Sequence, residues 1–131
     1  MADGRSIRLK HLYDEIETLS DEIPGELNKK IKLYSQALQL IGYFDADAMK
    51  DYLLTYAERK RLEGEVKATF KGTGVEKEGQ TEMAIYELRK KEAETKAESR
   101  KWTNLFKSTE QLIIALRREE QALMTEYNNA G

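Results

Sequence analysis

Between Thr81 and Tyr127 the chain contains neither Pro nor Gly, so nothing in that stretch stops a helix. A strict alternation of three and four residues can be laid over it. It falls on Ile85, Leu88, Glu92, Thr95, Ser99, Trp102, Phe106, Thr109, Ile113, Leu116, Glu120, Leu123 and Tyr127. The spacing never slips, but Glu92, Thr95 and Ser99 are three polar seats in succession, so the seam is apolar at each end and polar in the middle. Such a helix would be about 70 Å long, whereas a compact globule of this chain length is about 35–40 Å across. It must kink near 98–103, project, or be covered by a second copy. Homodimerisation is the expected outcome, with Ile85, Leu88, Trp102, Phe106, Ile113 and Leu116 as core or interface.

The segments before it are shorter. Leu9, Leu12, Tyr13, Ile16, Leu19 and Ile23 define one face of a helix over 6–23, with Ser6 as N-cap and Pro24-Gly25 as its end. Leu27, Ile31, Tyr34, Leu38 and Ile41 define a second over 26–41, with Gly42 as the stop. Asp45 or Asp47 then caps a third over 46–65, extendable to 71, with Met49, Tyr52, Leu53 and Tyr56 followed by Leu62, Val66 and Phe70 as its face. Gly64 weakens its middle, and the alternation Val66, Ala68, Phe70 before a Gly-rich turn allows a small β-hairpin at 65–77 as the alternative. KGTGVEKEGQ, 71–80, reads as a flexible connection. The expected fold is all-α in one domain over 1–131: a helical hairpin at 6–42 and a long helical hairpin at 46–127 broken by the 71–80 loop.

Composition narrows the chemistry. Cysteine is absent, which removes disulfides, thiolate catalysis and most structural zinc sites and fits a cytoplasmic protein. His11 is the only histidine, too little for a metal site. The G-x-G of GTGVEKEG lacks the preceding apolar strand and the Lys-Ser/Thr ending of a phosphate loop. No apolar run approaches the ~20 residues of a membrane span. The carboxylates lie in polar surroundings, so no catalytic, metal or cofactor site is expected, and no enzyme.

Net charge is −2, which excludes a bulk attraction to nucleic acid and leaves only local patches. The strongest is RKKEAETKAESRK, 89–101, with six basic and three acidic side chains. Ala93 and Ala97, four apart, offer a narrow face for packing against Tyr52, Leu53 or Tyr56. Glu87–Lys91, Glu92–Lys96 and Glu63–Lys67 have the order of helix-supporting ion pairs. If 46–70 folds back on 81–105, Arg59, Lys60 and Arg61 join Arg89, Lys90, Lys91, Arg100 and Lys101 in a basic contact surface with Trp102 at its edge.

DYLLTYAERKRLEGEVKATFKGTG followed by TEMAIYELRKKEAETKAESRKWTNLFKSTEQLIIALRREE is a Tyr-rich helix, a Gly-containing break, an Ala/Glu/Arg-rich helix and an apolar end before Arg-Arg-Glu-Glu. This layout, over about 48–120, resembles small helical accessory and inhibitor proteins of bacteriophage early gene regions. The resemblance implies a non-catalytic protein that binds and modulates or inhibits a host or phage protein. The alternative it implies is an accessory factor in DNA recombination or replication that touches nucleic acid through the basic stripe.

Overall fold

The computed structural model describes residues 3–130 and contains three helices and, among those residues, no strand. Helix α1 spans Gly4–Ile16, α2 Pro24–Thr69 and α3 Gly74–Ala130. The all-α class with a long C-terminal helix is therefore the observed fold. The breaks fall elsewhere than the sequence suggests, and each shift has a local cause.

The cap of α1 is Asp3, not Ser6: the Asp3 carboxylate accepts the Ser6 backbone N–H at 2.8 Å. This bond holds the carboxyl below its ordinary range. The helix ends at Ile16, so Leu19 and Ile23 lie in the turn, half-buried and exposed respectively. Pro24 begins α2 rather than closing α1. Its fixed φ and missing N–H suit a first helical position.

Gly42 does not stop α2. Its φ is not positive, and the helix runs through it as one 46-residue element. The reason lies in the spacing. Leu27, Ile31, Tyr34, Leu38 and Ile41 continue as Asp45, Ala48, Tyr52, Thr55, Arg59, Leu62 and Val66, alternating four and three without a slip, and all are buried or half-buried. Asp45, Ala48, Thr55 and Arg59 hide this seam from a search for large apolar residues. A helical glycine costs about 1 kcal/mol, less than the packing on either side supplies.

The expected 71–80 loop shrinks to 70–73, and the β-hairpin at 65–77 does not form, because 65–69 and 74–77 are helical. Thr73 and Glu76 explain the early restart. Thr73 Oγ1 accepts the Glu76 N–H at 3.2 Å and Glu76 Oε2 accepts the Thr73 N–H at 3.3 Å, a reciprocal capping box. A Cβ on Gly72 would lie 2.6 Å from Glu76 Oε2, so only glycine leaves room for the box.

The chain forms two compact units. The first takes the chain up to Phe44 together with the chain from Thr103 onward. Leu27, Ile31, Ile113 and Leu116 are its core, with Tyr34, Leu38 and Leu123 packed against them. Asn28 donates to Glu120 at 2.9 Å, and the Phe106 ring lies beside Gly42. Helix α1 lies along α2 from Arg5, 4.5 Å over the Tyr43 ring, to Glu15, 3.2 Å from Lys29. Leu9, Leu12 and Ile16 of α1 are buried, as are Leu33, Ala37 and Leu40 of α2. The first unit is thus a three-helix bundle.

The second unit is Asp45–Trp102, an antiparallel pair of helical segments closed by the capped turn. It has two helices and no third.

Gly64 lies inside α2, five residues before its end at Thr69, and is exposed, and a Cβ added there would meet nothing within 4 Å beyond its own helix. Gly64→Ala is expected to stabilise the chain by about 0.5–1 kcal/mol. Gly42→Ala should gain less, because its Cβ would meet the Phe106 ring at 3.4 Å. Denaturant melts of both variants test the continuity of α2: a Gly64→Ala loss of stability would mean that the helix is interrupted there.

Candidate interaction surface

The seam of the second unit carries both apolar and charged side chains. On α3, Thr81, Ile85 and Ser99 are buried and Leu88, Glu92, Thr95 and Trp102 half-buried. Ala93 and Ala97, expected as the packing face, do not form it: both are exposed and lie off the seam of Glu92, Thr95 and Ser99. The polar seats turn inward because α2 presents polar partners. Arg59 is 7% exposed, and its Nε and Nη2 both donate to the Glu92 carboxylate, the latter at 3.3 Å. Its Nη1 donates to Glu63 Oε2 at 2.9 Å, and its guanidinium lies 5.3 Å from the Tyr56 ring centre. Ser99 Oγ lies 4.0 Å from Met49 Sδ.

These bonds raise the Arg59 pKa, chiefly through Glu92. They hold the Glu63 carboxyl below its ordinary range, through the Lys67 ammonium at 3.1 Å first and the charges of Lys60 and Arg59 after it. Of the three expected ion pairs along a helix, Glu63–Lys67 forms, whereas Glu92 turns to Arg59.

The seam divides the remaining residues into two edges. In an antiparallel pair, matching edges of the two helices face each other. One edge is marked by a shallow groove lined by Asp51, Leu54 and Glu58 of α2 with Leu88, Lys91 and Thr95 of α3. It carries Asp47, Asp51, Glu58, Glu87, Glu94 and Glu98 against Lys91 and Lys101 between α2 residues 47–58 and α3 residues 87–101, so it is acidic. The opposite edge holds Met49, Leu53, Tyr56 and Lys60 on α2 and Arg89, Ala93, Lys96 and Arg100 on α3, with no carboxylate over that span. It is basic, and Met49 (42%), Leu53 (53%) and Tyr56 (40%) form an exposed apolar stripe along it.

The structure therefore splits the expected basic surface. Arg59 is in the seam. Lys60, Arg89 and Arg100 lie on the basic edge, Arg61, Lys91 and Lys101 on the acidic one, and Lys90 on the outer back of α3. Arg61 is occupied by Glu58 at 2.7 and 3.1 Å and by Glu65 at 2.7 Å, which raises its pKa and holds Glu58 below the usual carboxylate range. Arg89 makes two 3.0 Å bonds to Glu82. Lys60 and Lys101 lie over the Tyr56 and Trp102 rings at 5.8 and 5.2 Å. Among the described residues, Lys90, Lys91, Lys96 and Arg100 make no ion pair.

Of the expected core residues, Ile85, Ile113 and Leu116 are buried and Leu88 and Phe106 half-buried. Trp102 is half-buried rather than enclosed, and its Nε1 donates to Glu98 at 2.9 Å. Every seam position of α3 from Thr81 to Leu123 is buried or half-buried within one chain, so covering α3 does not call for a second copy. Composition missed Lys96, and it missed the outward turn of Met49, Leu53 and Tyr56. The α2 seam spacing carried forward from Leu27 places all three off that line, but only the position of α3 shows which line is covered.

In the first unit, Asn28, Ile31 and Ser35 of α2 and Arg117, Glu120 and Met124 of α3 line a second concavity of ≈ 770 Å³. His11 is exposed, and among the described residues no group of His, Cys, Asp and Glu is arranged to hold a metal ion. Among the described residues no helix is long and apolar enough to cross a membrane. No family model, curated protein or solved structure matches the chain.

Arg59→Leu should cost ~3 kcal/mol, the low end for breaking a buried pair, because it strands Glu92 in the seam while 17% of that side chain keeps access to water. The double change Arg59→Leu with Glu92→Leu should recover most of that loss, since neither charge then needs a partner. Equal destabilisation by the single and double variants in urea melts would show that the pair is not what holds this layer.

A pH series gives an independent check. The Asp3, Glu58 and Glu63 carboxyls have folded pKa values below their unfolded ones. The native state therefore binds fewer protons, and the stability these groups add is present above the unfolded value of roughly 4 and lost as pH falls through the folded values. The melting temperature should drop on going from about pH 6 to about pH 3. A rise over that interval would contradict the pairing.

Proposed function

We propose that this chain is a non-enzymatic interaction protein that binds and modulates or inhibits another protein through a helical surface. The observation that carries this reading is the exposed stripe of Met49, Leu53 and Tyr56, spaced four and three apart on a helix whose seam already faces its partner. An amphipathic helix ordinarily turns its apolar residues to the core. A second apolar stripe left outside, with a polar rim, marks a contact surface. The resemblance to early-region bacteriophage proteins supports a host or phage protein as the target and the bacterial cytoplasm as the place.

A nucleic-acid role in recombination or replication would draw on Lys60, Lys96 and Arg100. Arg59, Arg61 and Arg89 are already bonded to carboxylates, which leaves fewer arginine forks for phosphate.

Affinity capture from a phage-infected bacterial lysate should retain a protein on the wild-type chain and lose it with Leu53→Asp. Gel shifts with single- and double-stranded DNA at two salt concentrations separate the second reading. A shift that weakens with salt and with Lys96→Glu, yet ignores Leu53→Asp, would belong to a nucleic-acid backbone.

A further inference from the structure

The charges that frame the stripe select the partner. Resting on the protein-interaction reading, we propose that the basic edge of the Asp45–Trp102 unit docks an acidic amphipathic helix of a partner protein, laid along Met49, Leu53 and Tyr56 as the third helix of that unit.

Three observations lead there. First, the stripe is straight and helical in spacing: Met49, Leu53 and Tyr56 follow one edge of α2, so an apolar stripe of another helix can lie against all three. Second, over this span the edge carries Lys60, Arg89, Lys96 and Arg100 and no carboxylate. Arg89 is held by Glu82, but Lys96 and Arg100 make no ion pair among the described residues. Their long stems can lie on apolar surface while their charged ends meet a carboxylate. Ala93, between Arg89 and Lys96, is the smallest side chain of that edge and leaves it low. Third, the opposite edge would repel the same ligand. There Leu54, 58% exposed, is framed by Asp51 and Glu58. An acidic helix thus has one favourable side on which to bind.

The same charges weigh against a second copy of this chain. Two basic edges face to face repel, and a basic edge on an acidic edge is a head-to-tail contact, which builds a ring or a filament rather than a two-fold dimer.

The test is selection of helix-forming peptides from a displayed library on the immobilised full chain. Enriched sequences should be net acidic with apolar residues at alternating three and four spacing. Leu53→Asp, and separately Lys96→Glu with Arg100→Glu, should each weaken the best peptide by about tenfold or more, and salt should weaken it further. Leu54→Asp, on the acidic edge, should bind as the wild type does. All three positions changed on the basic edge are exposed, so thermal melts of these variants should match the wild type.

Enrichment of basic or non-helical sequences, no enrichment at all, or binding indifferent to Leu53→Asp would overturn the proposal. A lysate partner that is lost with Leu53→Asp but ignores Lys96→Glu with Arg100→Glu would also overturn it, while leaving the broader interaction reading intact. A dimer in sedimentation that Leu53→Asp converts to monomer would give the edge to a second copy and overturn it too. A chain that captures no protein and enriches no peptide would sink both readings.

Discussion

The constraint on which the rest depends is the unbroken alternation of four and three on both long helices. It averages 3.5 residues per turn, so one narrow line of side chains on each helix stays turned inward over many turns. On α2 that line runs from Leu27 to Val66 and on α3 from Thr81 to Leu123. Inserting a single residue would rotate everything beyond it by about 100° and move the buried line to the surface. Continuity of the line outweighs local signals. Gly42 and Gly64 each disfavour helix, yet each sits inside α2, because the turns on both sides carry buried or half-buried seam residues.

Within the second unit the line carries charge. A large aliphatic pair at Arg59 and Glu92 would bury more apolar surface and incur no desolvation cost. What the ion pair adds is offset specificity. One buried arginine on α2 and one glutamate on α3 satisfy each other at a single alignment of the two helices, and a slip of one turn would leave Glu92 without a partner and Arg59 with Glu63 alone. The short capped turn from Phe70 to Thr73 sets the same alignment from the end of the hairpin.

Burying Arg59 also reorganises the surface. It takes the central cation of the apparent basic cluster out of solvent. The remaining charges are sorted by position relative to the seam rather than by nearness in sequence. Arg61 and Lys60 are adjacent in the chain but lie on opposite edges, one among carboxylates and the other beside Tyr56. The acidic and basic edges are products of helix geometry acting on a stretch whose overall charge is nearly balanced.

The all-α class, the existence of α3 and its seam were legible in the sequence, because they rest on period and on the absence of Pro and Gly, both local properties. The Thr73–Glu76 capping box was legible too, since its residues are three apart, although the glycines around it pointed to a loop. The union of two segments into α2 was harder to see, because Asp45, Ala48, Thr55 and Arg59 do not look like core residues until a partner helix is opposite them. The exposure of Met49, Leu53 and Tyr56 was not available from the sequence. Apolar residues at helical spacing suit either a core or a surface, and only the position of α3 decides which stripe of α2 is covered. Likewise the sequence determined how many charges the chain carries, but the tertiary structure decided which were neutralised within it, because Arg59 and Glu92 are 33 residues apart and meet only when the hairpin closes.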